Sequence, residues 1–341
     1  MAISSTDPMF DAPFTNGDIA FTVASGTEVV VGGITDVNIS TNTETSSGNS
    51  GYIFDERRNL ISQEPTATFT TSDVGQLLGN LGIAGACLDG TTGWYAQVAK
   101  QSCGGVASGS VHGKYQITDG VIHLDSLSAD ARADATVGAT VHAIYDGENS
   151  PLASTFNNAK WDTAALPNQY TLGACAISLS DDSGSTEAVQ LVLNDLSSAN
   201  IDFGVQLNKR GGPESVWPTF GAVTKVTPTI TLAGIEIGAM DDTSGIKLLG
   251  RMARQGPSGT VANTIIQLRR RGMSGGFASS TATEHIRIKA SGLAYVTQPY
   301  AASGQDYGEI NITIECTHDG TNAPLVIGAE ETYIAAINLN D

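Results

Sequence analysis

Few residues in this chain have the spacing that catalytic or metal-binding motifs require. The five histidines are His112, His123, His142, His285 and His318, and none belongs to an H-E-x-x-H motif or another close ligand spacing. Residues 109–114 resemble a phosphate-binding loop, but the glycine-to-lysine spacing is one residue short. In addition, Tyr115 stands where Ser or Thr is needed. We therefore do not expect this segment to bind phosphate.

Residues 272–276, Gly-Met-Ser-Gly-Gly, formally fit the G-x-S-x-G pattern of a serine nucleophile. That motif works only where a strand turns sharply into a helix. The residues that follow, 277–283, are small and polar and have no helical periodicity. The sequence therefore favours a plain turn here.

The remaining charged clusters have simple alternative interpretations. The pairs Asp181-Asp182 and Asp241-Asp242 could bind a cation or form solvated turns. The basic run 269–271 could meet an acidic patch on a neighbouring subunit or a phosphate, although a solvated or interface face is the commoner case. In a strand its central arginine would face away from its two neighbours. No combination indicates acid–base or nucleophilic catalysis. We predict no enzyme, and hence no catalytic residues, cofactor or metal site.

The composition indicates an acidic globular protein. The chain has 341 residues, 40% of them hydrophobic and 15% charged, and a formal net charge of -18. A surface this acidic repels nucleic acid, although acidity can also serve solubility alone. A conventional DNA- or RNA-binding domain would instead show a basic face.

The four cysteines are scattered, without a C-x-x-C pair. They are interpreted as small buried residues of a reducing compartment, and a bridge between Cys87 and Cys103 stays open. The polar residues 1–17 do not resemble a signal peptide, and no apolar run reaches membrane-spanning length. We expect folding in a cytoplasm and no membrane partner.

Four segments recur in the same order in the two halves of the chain. The matching pairs are 65–69 with 228–232, 76–81 with 247–252, 103–108 with 274–279, and 146–152 with 319–325. The offsets are 163, 171, 171 and 173 residues, so they drift slowly. One domain copied once, with about eight residues inserted in the second copy, explains this pattern. We predict a first domain over residues 1–160 and a second over 161–341.

Each half is predicted to be mainly β, as a β-sandwich or barrel-like domain with one flanking helix. Short β-branched runs alternate with turns, as at 35–41, where Val37 and Ile39 share one face. Ser72 is a candidate N-cap for an apolar helical pattern ending at Leu81, and Ser244 begins the matching pattern up to residue 252.

Each half also contains a long polar segment between two strand-like stretches. These segments cover residues 46–58, rich in Gly and Ser, and residues 209–220, which contain two Pro and a Trp. Loops of this length inside a compact domain are usually functional or disordered. We predict that each forms a long hairpin arm.

This arrangement resembles the major tail-tube proteins of long-tailed bacteriophages. The resemblance rests on the arm, the Leu-Leu-Gly helix, the Gly-Gly turn and the closing Asp-Gly-x-Asn-x-Pro-Leu segments at 146–152 and 319–325. It implies a virion structural protein that polymerises into stacked rings around a channel for DNA. Since single-domain members form rings of six, a duplicated chain would need three copies. The arms at 46–58 and 209–220 would reach between rings.

The resemblance also implies the partners and the location. The chain would contact itself in ring closure and ring stacking, and it would meet tail-tip, tape-measure and terminator proteins. Viral DNA would pass through the acidic lumen without specific binding, in a virion tail assembled in the host cytoplasm. A capsid decoration protein, another virion component or a tandem β-sandwich adhesion module stay open as alternatives, and a hydrolase with a cryptic site ranks last.

Overall fold

Strands make up most of the residues that the computed structural model describes. The described ranges are 14–48, 57–102, 105–159, 166–179, 189–193, 196–212, 214–236, 252–254, 264–272, 276–301, 309–318 and 323–334. Within them the chain forms 25 strands and one helix, so the predicted mainly β class is confirmed.

The largest sheet contains strands from both halves of the chain. Nine of its strands pair in the order β20 (Met252–Arg254), β23 (Gly292–Ala301), β24 (Glu309–Cys316), β19 (Thr229–Glu236), β16 (Ser198–Asp202), β11 (Gly120–Asp130), β12 (Thr136–Ala143), β6 (Thr66–Thr71) and β3 (Ile34–Ser40). The tenth strand, β7 (Ala86–Cys87), pairs with one end of β11. All these pairings are antiparallel, and the β11–β16 pairing joins the two halves.

Two smaller sheets have the same pairing order as each other. In the first half the order is β2 (Val29–Val31), β1 (Phe14–Phe21), β8 (Trp94–Ser102), β10 (His112–Ile117) and β13 (Ala153–Asn158), with β9 (Gly105–Val106) added to β8. In the second half it is β15 (Val189–Leu193), β14 (Tyr170–Leu179), β21 (Thr264–Arg270), β22 (His285–Ala290) and β25 (Leu325–Glu331).

Two hairpins extend from the sheets at the predicted arm positions. The first pairs β4 (Thr43–Gly48) with β5 (Arg57–Gln63), and the second pairs β17 (Val205–Gly211) with β18 (Pro218–Val226). Gly204 begins the second hairpin at φ +56, where a Cβ would collide with the carbonyl oxygen of Thr227. The hairpin form of both arms is confirmed, and the tip of the first, residues 49–56, lies outside the described residues.

Alternation of apolar and polar residues explains why these strands bury one face. In β12, Val137, Ala139 and Val141 are buried, while the intervening residues are half-buried. Such inward side chains from the large and the small sheets join one apolar cluster that extends through both halves. Within it the rings of Phe69 and Trp94 stack at 6.3 Å between centroids. The core therefore lies under one face of the large sheet, and the other face is left for other contacts.

The helix differs from its prediction in how it begins. It covers α1 (Val74–Asn80), and its N-cap is Asp73, which makes no side-chain cap hydrogen bond. The predicted N-cap was wrong because the Ser72 hydroxyl donates instead to the carbonyl of Gly33, at 3.3 Å. Of the matching pattern in the second half, Met252 lies in a strand, and residues 244–251 lie outside the described residues.

The proposed boundary at residues 160 and 161 also lies outside the described residues. The two halves share more than a linker, because backbone hydrogen bonds continue from β11 to β16. Helix α1 of the first half also contacts β25 of the second. The division into two copies of one domain stays a prediction.

Candidate functional site

The outward face of the large sheet is a polar surface that includes strands of both halves. Seven central strands contribute to it: β3, β6, β12, β11, β16, β19 and β24. Their outward residues are almost all Ser, Thr, Asn, Asp, Glu or His, for example Thr68, Thr140 and Thr231. Antiparallel neighbours stand opposite one another on the same face, so these polar residues form continuous rows across the sheet.

The pairing of β11 with β16, here called the seam, makes this face continuous across the two halves. Its register places Ser126 opposite Asp202 and Asp130 opposite Ser198. Midway along it, Ser128 Oγ donates a hydrogen bond of 2.7 Å to Asn200 Oδ1. An open depression of about 400 Å³ lies over the seam and is lined mainly by these polar side chains.

Carboxylates are the main charged groups on these seven strands. Those that face outward are Asp36, Asp125, Asp130, Asp202, Glu309 and Glu315. Among the described side chains of the same strands, none that faces outward is Lys or Arg. At the far edge of the sheet, β20 carries Arg254. The central face is therefore negative, and it would repel a polyanion such as DNA rather than bind it.

Basic side chains lie instead on the two smaller sheets and on the two hairpin arms. Arg269 lies between two aromatic rings, 4.3 Å from the Phe277 centroid and 4.8 Å from the Tyr333 centroid. Arg270 pairs with Glu284. Arg271 lies 3.5 Å from Asp134 of the first half. The run therefore makes contacts within its own chain, and a contact with a neighbouring subunit or a phosphate stays a prediction.

Two histidines on neighbouring strands form a pair on the polar face beside the seam. His123 Nε2 and His142 Nε2 are 3.2 Å apart, and the ring centroids are 5.3 Å apart. His123 Nδ1 lies 3.2 Å from Asp125 Oδ1, and Thr140 donates to Asp125 Oδ2 at 2.5 Å. Burial, together with the nearby Lys209 cation and His123, lowers the pKa of His142 to about 4, although Glu64 opposes this shift.

The two histidines are 19 residues apart in the chain, so their spacing does not reveal the pair. The signal was present in the β11–β12 hairpin, where His123 stands opposite Thr140 and His142 follows two residues later. Side chains on one face of an antiparallel pair contact both the directly opposed residue and the residue two positions further along the neighbouring strand. Assigning the register of the hairpin from sequence would have brought the two rings together.

The second hairpin arm contacts the first half of its own chain. Lys209 pairs with Glu64 at 2.5 Å, and the indole N–H of Trp217 donates to Gln63 Oε1 at 3.2 Å. The Trp217 ring also packs on Tyr145, with 4.9 Å between centroids. The backbone N–H of Tyr145 donates to the carbonyl of Pro218 at 2.8 Å. This arm therefore adds a second polar and aromatic contact between the halves, away from the seam.

The segment that resembled a phosphate loop does not have that structure. Lys114 lies within strand β10, where no helix follows the glycines, and its ammonium lies 4.2 Å from the centroid of the Tyr95 ring. The serine of the G-x-S-x-G segment, Ser274, and both aspartate pairs lie outside the described residues. The described residues therefore give no evidence of a phosphate-binding, nucleophile or cation site at these motifs.

The cysteines only partly follow the expectation of burial. Cys175 and Cys316 are buried, and burial raises the pKa of each thiol to about 12. Cys87 is exposed in the short strand β7, which pairs with one end of β11, so for it the expectation was wrong. The possible bridge to Cys103 falls on a residue outside the described ranges.

No known family is matched. The chain fits no protein-family model, and no curated protein is significantly similar to it in sequence. Within the described ranges, no three His, Cys, Asp or Glu side chains are grouped so as to hold a metal ion. In the same part of the chain, no helix has the length and apolar character needed to span a bilayer.

Proposed function

We propose that this protein is a tail-tube subunit of a long-tailed bacteriophage, in which two copies of one domain stand in tandem. The observation that carries the proposal is the seam, where β16 of the second half extends the sheet of the first half beyond β11. A joint of this kind can be repeated between chains, and repetition with a fixed rotation closes a ring.

The repeated pairing order supports the two-copy interpretation. In the large sheet, β11-β12-β6-β3 in the first half corresponds to β23-β24-β19-β16 in the second. The five strands in the pairing order of each small sheet also correspond, and only β9 has no counterpart strand among the described residues. Buried polar groups correspond as well. His112 Nδ1 accepts the backbone N–H of Lys100, and His285 Nδ1 accepts that of Arg270, both at 3.1 Å.

A second buried pair repeats in the same place. Gln97 donates through its side chain to the carbonyl of Ala159 at 3.3 Å, and Gln267 donates to the carbonyl of Ile334 at 2.8 Å. Both glutamines are buried, at 2% and 1% exposure, so each side-chain amide requires a hydrogen-bond partner inside the protein. Chance similarity of two unrelated halves would not be expected to reproduce both pairs.

Strand β3 at one end of the large sheet, and the part of β23 beyond its pairing with β20, would form the joint between chains. Strand β3 corresponds to β16, since Ser40 lies opposite Thr66 as Asp202 lies opposite Thr229. Strand β23 corresponds to β11, since Gln298 lies opposite Asn311 as Ser126 lies opposite Gly138. Repeating the seam would then place Ser40 of one chain opposite Gln298 of the next. Six domains at two per chain give a ring of three chains.

In such a ring, the outward face of the large sheet would line the channel. Carboxylates and hydroxyls would meet the DNA phosphates, and the central strands would offer no lysine or arginine among their described outward side chains. DNA would move through without adhering, because neutralisation of phosphates by cations is what holds DNA to proteins. Pairing of both edges would also prevent uncontrolled strand addition.

Negative-stain electron microscopy of the purified, concentrated protein tests this function. We expect rings or tubes with a central hole, and rotational averaging should show threefold symmetry with six similar lobes. Small monomeric particles that persist even with tail-tip complexes as seeds would refute the proposal. A ring of six chains would retain the tube function but refute the stoichiometry.

A further inference from the structure

The histidine pair beside the seam brings two imidazole nitrogens to a separation that one metal ion could bridge. The two Nε2 atoms are 3.2 Å apart, and the ring planes differ by only 19°. Two imidazole nitrogens bound to one tetrahedral zinc ion, each at about 2.0–2.1 Å, lie roughly 3.3 Å apart. The observed separation therefore admits one metal ion between the rings with little movement of either side chain.

Neighbouring side chains prepare His123 for metal binding. Asp125 Oδ1 lies 3.2 Å from His123 Nδ1, so it can accept the Nδ1–H and leave Nε2 as a bare lone pair. The Thr140 hydroxyl donates to the other oxygen of Asp125 and holds the carboxylate in place. Carboxylates bound to the second nitrogen of a histidine are the usual outer support of histidine metal ligands.

We propose that His123 and His142 form a binding site for one divalent transition-metal ion of the zinc, nickel or copper class. Imidazole nitrogens suit these ions. Both Nε2 atoms would ligate the ion, and water would complete the coordination. Asp125 and Glu64 provide negative charge nearby, and the one cation, Lys209, is paired with Glu64 at 2.5 Å.

Binding would connect β11 and β12 next to the arm contact. Because the unfolded chain does not hold the two rings together, an ion that binds the folded state raises its stability by RT ln(1 + L/Kd), which grows with the free ion concentration L. The inference is independent of the tube proposal, since a monomer, a ring or a tube would each contain the same pair of strands.

Calorimetric titration of tag-free, chelator-treated protein with zinc chloride tests the site. We expect one ion per chain and a melting temperature that rises with zinc. His123→Gln and His142→Gln should each weaken binding by at least about tenfold, and Asp125→Asn by about 10–100-fold through loss of the outer support. His318→Gln is the matched control, because His318 is exposed and lies on the other half, and it should bind as the parent does.

A measurement on the unaltered chain covers the case in which a variant does not fold. X-ray absorption of the zinc-loaded protein should show two imidazole nitrogens in the first coordination shell. No binding at millimolar zinc, or binding that both histidine variants retain, would overturn the proposal and leave the pair as a plain N–H···N hydrogen bond. Coordination of the zinc ion by fewer than two imidazoles would also overturn the proposal.

Discussion

Ser128 of the first half and Asn200 of the second face each other across the seam, joined by a 2.7 Å hydrogen bond from Ser128 Oγ to Asn200 Oδ1. They occupy the middle of the pairing that makes one sheet from two halves. If chains associate as the halves do, the same relationship must recur between molecules.

A cysteine pair tests this recurrence at one register. Ser40→Cys with Gln298→Cys, in a background with Cys87 and Cys103 changed to Ser, should yield disulfide-linked dimers and closed trimers on oxidation. Opposed residues of antiparallel strands have Cα atoms about 4.5–5.5 Å apart, which suits a disulfide. Non-reducing electrophoresis reads the outcome.

Two further pairs control the cross-linking experiment. Ser128→Cys with Asn200→Cys should close only within a chain, because these residues are opposed inside one molecule. Asp36→Cys with Gln298→Cys should not link, since Asp36 lies four residues away from Ser40 on β3. If the Ser128–Asn200 pair forms a disulfide while the Ser40–Gln298 pair gives only monomers, chains do not associate through a pairing like that of β11 with β16.

Much of the fold could be predicted from sequence because alternation and turn residues act locally. Val37 and Ile39 indicated strand β3, and the polar segments between strands indicated both hairpins. The helix was also found, but its first residue was misplaced. Ser72 binds Gly33, some 39 residues away in the chain, and no local rule anticipates that contact.

The polar face and its seam depend on pairing between distant strands. Ser128 and Asn200 are 72 residues apart, and each is an ordinary strand residue in its own context. The acidic composition predicted a surface that avoids nucleic acid, yet it could not show which residues share a face. The histidine pair was missed for the same reason, because it depends on the register of β11 against β12.

Adding cations to the polar face should create DNA binding. The double variant Ser128→Lys and Asn200→Lys places two ammonium groups at its centre, and we expect weak binding of duplex DNA that disappears as salt is raised. Fluorescence anisotropy with a labelled duplex measures this effect. The parent protein should show no binding even at low salt.

The matched control places the same charges on the small sheet of the second half. Val192 and Val326 are 45% and 52% exposed there, so Val192→Lys with Val326→Lys should preserve folding. We expect distinctly weaker DNA binding than for the face variant. Equal binding by both variants would mean that total charge, rather than its position on the polar face, determines the interaction.

Removing Trp217 should loosen the second arm from the first half. Trp217→Ala loses the hydrogen bond to Gln63 and the packing on Tyr145, so the free energy of unfolding should fall by about 1–3 kcal/mol. Phe220→Ala, at a 57% exposed position on the same hairpin, should change it by less than about 0.5 kcal/mol. Urea denaturation gives both values, and equal effects would contradict the contact.

The buried thiols should be chemically silent in the native protein. Because burial raises the pKa of Cys175 and Cys316 to about 12, almost no thiolate forms at pH 8, and access is closed as well. Iodoacetamide at pH 8 should label the exposed Cys87 and spare these two until the chain unfolds. Peptide mass mapping identifies the labelled cysteines. Labelling of Cys175 in the native state would contradict its burial.

The equivalent histidines of the two halves should respond alike to substitution. His112 and His285 are buried, and each accepts a backbone N–H through Nδ1 at 3.1 Å. Replacement by Leu leaves that N–H unpaired, which should lower the free energy of unfolding by about 1–3 kcal/mol in either half. Replacement by Asn should recover part of the loss, since Asn Oδ1 takes the position of Nδ1.

Thermal and urea unfolding of the four single variants measure these effects. Matching losses and matching recovery would support a common origin for the two positions, because unrelated sites have no reason to share both size and chemistry. A loss at His112 with none at His285 would argue that the resemblance between the halves is confined to strand order. The His285 ring also lies 5.6 Å from Tyr333, so a moderately larger loss there is still consistent with equivalence.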